Sequence, residues 1–127
     1  MPEPGANRFY VAELNGKATV WSPKENCRHT EFVLEQLEKW VKGRNASVVH
    51  INVGLHDMFL SSSTKQPRHS LEVYEANLRA IFAKLQDLTD AKIVFALTTP
   101  VIESRQAASE GYKRVVRREA DVVRYNA

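Results

Sequence analysis

The run "INVGLHDMF" (51–59) sets His56 beside Asp57, just past Gly54 and at the end of an apolar stretch. An imidazole can donate a hydrogen bond or move a proton near neutral pH, and a carboxylate can orient such a ring. A glycine lets the chain turn sharply and brings backbone N–H groups close to a substrate oxygen. Gly54, His56 and Asp57 are therefore candidates for contacting a substrate oxygen and for holding the loop that does so. Each also has a plainer role: His56 satisfies a loop carbonyl, and Asp57 holds loop amides or caps the next turn.

Other arrangements find less support. Adjacent residues need not point at each other, and no Gly-x-Ser-x-Gly elbow holds a serine in a strained turn, so a self-contained Ser-His-Asp triad is disfavoured. The four histidines and Cys27 show neither HExxH nor CxxC spacing. No glycine-rich phosphate loop is present, and the sequence implies no cofactor. Ser61, Ser62 and Ser63 form a polar loop, His69 precedes a helix cap, and His50 falls mid-strand.

The elements that must position these groups alternate in type. "KATVW" (17–21) is a strand candidate, followed by the turn-forming "SPKEN". Thr30 can cap a helix in which Phe32, Val33, Leu37, Trp40 and Val41 share one face and Gly43 closes the end. "SVVHINV" (47–53) reads as a strand buried on both faces. Ser70 can cap "LEVYEANLRAIFAKLQDL", whose apolar positions keep helical spacing. "AKIVFALTTP" (91–100) is a further buried strand, and a helix over about 108–124 follows.

This order predicts an α/β domain, a parallel sheet with helices on both faces, built as one unit over residues 1–127. Ligands of such sheets bind beyond the carboxyl ends of the strands. The loops "SPKENCRHT", "GLHDMFLSSS" and "TTPVIESR" hold that position.

Composition restricts the class. With 43% hydrophobic and 26% charged residues over 127 positions, the chain can bury a core of its own. A single cysteine cannot form an internal disulfide. No apolar stretch approaches the roughly 20 residues that span a bilayer, and "MPEPGANRFY" lacks a signal-peptide pattern; cytoplasmic is the default compartment, and secretion stays open because a domain with its leader removed looks the same. The net charge of +3 concentrates in "YKRVVRREADVVRY", read as the solvated face of an amphipathic helix. A nucleic-acid contact there is disfavoured, because no stacking platform accompanies the charge.

Four segments in order, "VVHINVGLHDMF", "YEANLRAIFAKL", "AKIVFALTTPV" and "RREADVVRYNA", together with "ENCRHTEFVLEQLEKWV" upstream, resemble the middle of an SGNH (GDSL-type) hydrolase. The likeness is to the bacterial branch whose third motif block reads Gly-Leu-His-Asp, and it covers roughly residues 17–127. It implies a flavodoxin-like fold and a serine ester hydrolase acting on acetyl or short-acyl esters. Gly54 to Asp57 match the third block, with His56 where asparagine usually stands; a ring N–H can still donate to an oxyanion. Asn26 falls near the second block and is a weaker candidate donor.

The family's Gly-Asp-Ser nucleophile block and its Asp-x-x-His base block have no counterpart in these 127 residues. The resemblance thus implies a shortened form lacking the family's first and last strand segments. Its alternative is a non-catalytic relative that binds a small ligand or a partner without turnover. Without the family's central strand, two sheet edges lack partners, which predicts a homodimer or a strand-exchanged oligomer.

Overall fold

The structure, a computed structural model, describes residues 12–127. The segment read for a signal peptide lies outside the described residues. Helix α1 (Thr30–Val41) leads to strand β1 (Val48–Ile51), helix α2 (Leu71–Leu88) and strand β2 (Lys92–Phe95). Two short helices, α3 (Glu103–Ala108) and α4 (Glu119–Asn126), follow.

The strands pair in parallel, Val48 with Lys92 through Ile51 with Phe95, and α2 is the crossover that parallel pairing requires. Ser70 caps α2 as the sequence predicts, its hydroxyl accepting from Val73 N–H at 3.3 Å. At α1 the cap is His29 rather than Thr30: His29 Nδ1 accepts from Phe32 N–H. Thr30 becomes the first helical residue, and its amide is free to serve the site. Past the helix end, Gly43 adopts φ +77°, a conformation that other residues reach only with strain.

The main core follows from the helical spacing. Val33, Leu37 and Trp40 of α1 meet Ile81 and Leu85 of α2 and Val53, over Val49, Ile51, Ile93 and Phe95 of the sheet. Burying side chains of this size contributes about 1.5–3 kcal/mol each. A second cluster joins Met58, Tyr74, Val122 and Tyr125 and seats α4 against the loop after β1.

Several expectations are corrected. Residues 17–21 form no strand. Side chains anchor that segment instead: the Arg44 guanidinium stacks on Trp21, and Trp40 Nε1 donates to Glu25 at 2.9 Å. The strands are not buried on both faces. Their burial alternates, and Val48 and Val94 remain 54% and 39% exposed. Among the described residues α1 and α2 share one face of the sheet, so the predicted covering of both faces is not seen. The arrangement is mixed α/β around a small parallel sheet.

The helix expected over 108–124 is instead α3, an irregular segment, and α4. Lys113 has φ +56°, Val116 is fully buried, and Gln106 Oε1 accepts from both Val116 and Arg117 N–H. A solvated helical face cannot form where the backbone is pinned this way. Two of its cations turn inward, Arg114 donating to Leu60 O and Arg117 to Leu55 O. Among the described residues no helix is long and apolar enough to cross a membrane.

Candidate functional site around Asp57

Strand β1 ends at Ile51, Asn52 donates to the carbonyls of Ala96 and Leu97 beyond β2, and the chain turns at Gly54. Gly54 has φ +156°, and a Cβ there would meet the Thr98 hydroxyl and come within 3.1 Å of Tyr74 Oη. The turn is therefore packed against its neighbours at a point where only glycine fits. It delivers Asp57 into the interior, 0% exposed.

Asp57 is the hub of the site. Its carboxylate accepts from Thr30 N–H at 3.1–3.2 Å and from the Thr30 hydroxyl at 2.5 Å. It contacts His69 Nδ1 at 2.7 Å. A buried carboxylate is costly unless satisfied, and here the N-terminus of α1 and an imidazole share the task. The backbone repeats the link, since His69 N–H donates to Asp57 O at 3.0 Å. Two further bonds brace the ends: Tyr125 Oη donates to His69 O at 2.7 Å, and Asn77 Nδ2 donates to Thr30 Oγ1 at 3.0 Å.

The far ring nitrogen of His69 lies 3.3 Å from Glu31 Oε2, and the His29 ring stands edge-on to His69 at 5.0 Å between centroids. With Asp57 accepting at Nδ1, that nitrogen carries a proton, and Nε2 faces the Glu31 carboxylate. A carboxylate that fixes a tautomer in this way is the second half of an acid–base pair.

His56 sits on the same loop, half-buried. Burial lowers its pKa from the ordinary histidine value, and the charges of Arg117, His29 and Arg68 act in the same direction. His29 is lowered too, by burial first and then by His69 and Arg68. Both rings are held toward the neutral form. Burial pushes the Tyr74 hydroxyl up to about 12, with the Asp57 charge adding to it, and this phenol donates to Val53 O at 2.8 Å.

The candidates read from sequence thus separate. Gly54, His56 and Asp57 share one turn, but Asp57 orients His69 rather than its neighbour His56. Asn26 is exposed, and its Oδ1 accepts from Arg28 N–H at 2.8 Å, closing a local turn in which Arg28 takes φ +53°. Ser61 Oγ accepts from Ser63 and Thr64 N–H and so builds its own loop. His69, His29 and Glu31 were missed as site residues. The available signals were a His-x-Glu at one helix start and a histidine directly before the next helix cap, both weak without the fold.

An open depression of about 300 Å³ is lined by Pro67, Ser70, Leu71 and Tyr125 among others, and none of Gly54, His56, Asp57 or His69 lines it. No protein-family model, curated protein or solved structure matches the chain.

Proposed function

We propose that the chain is part of an SGNH-type ester hydrolase domain, acting on acetyl or short-acyl esters. The observation that carries this reading is the 2.7 Å contact of His69 Nδ1 with the fully buried Asp57, beside the Gly54–His56 turn. His69 takes the proton of a water that attacks the ester carbonyl and returns it to the departing alcohol oxygen, Asp57 holds its tautomer, and His56 with the loop amides faces the developing oxyanion. The flavodoxin-like architecture of the family belongs to the same proposal, supported by the parallel pairing of β1 and β2 and their helical crossover. So does pairing with a second copy through the free edges of that sheet.

One observation favours a second reading, a binding domain without turnover. Among the described residues no serine hydroxyl is bonded to His69, and the 127 residues contain no Gly-Asp-Ser. The reading as an esterase therefore assigns the nucleophile to no residue of this sequence.

Hydrolysis of p-nitrophenyl acetate decides between them. The expected result is a rate above buffer that His69→Ala abolishes and His56→Ala lowers roughly 100–1,000-fold, the scale of a lost oxyanion donor. A wild-type rate equal to buffer, or a rate that survives both substitutions, rejects the esterase reading in favour of the binding domain.

A further inference from the structure

The groups around the outer nitrogen of His69 have a second property that ester chemistry does not need. His29 and Glu31 flank Thr30 at the start of α1, and His69 arrives from the segment before α2. One ligand atom from each of the three lies within 4.8 Å of the others. The pair His69 Nε2 and Glu31 Oε2 stands at 3.3 Å. In a tetrahedral site with metal–nitrogen and metal–oxygen bonds of about 2.0–2.1 Å, neighbouring ligand atoms are separated by roughly 3.3 Å. That edge of the coordination shell is already at its spacing. Closing the His29 edge requires a side-chain rotation on an accessible helix end.

We infer that His29, Glu31 and His69 form a binding site for a divalent transition cation such as Zn²⁺, with Asp57 as the carboxylate that orients His69 for it. Two imidazoles and one carboxylate suit zinc and its neighbours, whereas calcium and magnesium prefer all-oxygen shells. Three protein ligands leave a fourth position for water.

Asp57 makes the cluster more than a chance meeting of side chains. Metal-bound histidines almost always give their other ring N–H to a carboxylate, a backbone carbonyl or water, which fixes the ring and strengthens the ligand. Asp57 does this for His69 at 2.7 Å and also holds the Thr30 amide, the residue between His29 and Glu31. One buried carboxylate thus positions all three ligands through two short links.

The ion also has a cost that the geometry identifies. His29 Nδ1 accepts the Phe32 N–H at 3.3 Å. Whichever ring nitrogen binds the metal, neutral His29 gives up that acceptor bond, and α1 exchanges a side-chain cap for a metal clamp at its N-terminus. Binding should therefore clamp the start of α1 to the segment preceding α2.

The test uses the full chain and the metal alone, without any ester, so its failure and that of the hydrolase reading are separable. Isothermal titration with ZnCl₂ should show one ion per chain, and Co²⁺ should give the visible absorption of a low-symmetry four-coordinate ion. His29→Ala, Glu31→Gln and His69→Ala should each weaken binding at least about tenfold, and Asp57→Asn about 10–100-fold, the usual effect of losing a carboxylate behind a ligand. His50→Ala, on the exposed face of β1, should leave the titration unchanged. Glu31→Gln alters only an exposed side chain and keeps the test decisive if the other variants, His29→Ala with its lost cap included, fold poorly, as circular dichroism would report. No binding at high-micromolar Zn²⁺, full binding in the His29 and Glu31 variants, or equal loss in the His50 variant overturns the site.

Discussion

His69 Nδ1 lies 2.7 Å from Asp57 Oδ1, a side-chain contact spanning twelve positions of a loop that runs from the end of β1 to the start of α2. The same carboxylate holds the first amide of α1. One buried group therefore joins the end of a strand region, the start of one helix and the approach to the next. The loop that carries the proposed chemistry is also a main tie of the fold, and the predictions below follow from that double role.

Replacing Asp57 should be the most damaging single change at the site. Asp57→Ala leaves the Thr30 amide and hydroxyl and the His69 ring without their acceptor in a dry environment. Breaking a buried charged network of this kind costs about 3–5 kcal/mol. Urea denaturation should show a loss on that scale, and Asp57→Asn, which keeps one acceptor oxygen, should lose less.

Gly54→Ala should destabilise through overpacking and backbone strain together. The added methyl meets the Thr98 hydroxyl and approaches Tyr74 Oη to 3.1 Å, at φ +156°. Thr98 is buried and Tyr74 is tied to Val53 O, so neither neighbour yields easily. The expected cost is about 1–3 kcal/mol. An unchanged denaturation midpoint would show that the turn is looser than its packing indicates.

Much of this architecture is legible without the fold. The 3.6-residue spacing of Val33, Leu37 and Trp40, and of Tyr74, Ile81 and Leu85, marks both long helices because each buries a single stripe. Ser70 as a cap is equally local. The failures are places where distant contacts override local pattern. "KATVW" has strand-forming residues but is held by Trp21 on Arg44 rather than by a ladder. The basic segment before α4 keeps helical spacing, yet Arg114 and Arg117 satisfy loop carbonyls and Gln106 mimics a strand partner. The role of His69 depends on the loop's path back to Asp57, which no periodicity encodes.

Acid should act on His29 and His56. Their folded-state pKa values lie below the ordinary 6.5, because burial and nearby positive groups disfavour the charged ring. An unfolded chain then binds more protons than the folded one between the lowered values and about 6.5. Stability contributed by the neutral rings is present above that window and falls as pH drops through it. Proton NMR should find both imidazole midpoints below 6.5, and His56→Ala should reduce the stability lost between pH 7 and 5. Midpoints at or above 6.5 would contradict the burial of these rings.

Tyr125→Phe isolates the contribution of α4. The hydroxyl donates to His69 O at 2.7 Å, while the ring packs at 5.2 Å from Tyr74, so only the hydrogen bond is removed. A net loss of about 1 kcal/mol is expected, together with faster amide exchange in α4. If His69 contributes to ester hydrolysis, the rate should fall as well, because its backbone loses a restraint while its Asp57 contact remains.

Self-association is the last expectation. Among the described residues, β1 and β2 each have one edge without a strand partner. Val48 and Val94 add exposed apolar surface to the uncovered face beside those edges. Unprotected strand edges pair with other chains, and the commonest closed result is a two-fold dimer. Light scattering at micromolar concentration should return twice the monomer mass, and Val94→Lys, a charge on the uncovered face beside the edge, should shift the population toward monomer. A stable monomer at that concentration would mean that both edges are already satisfied within the chain.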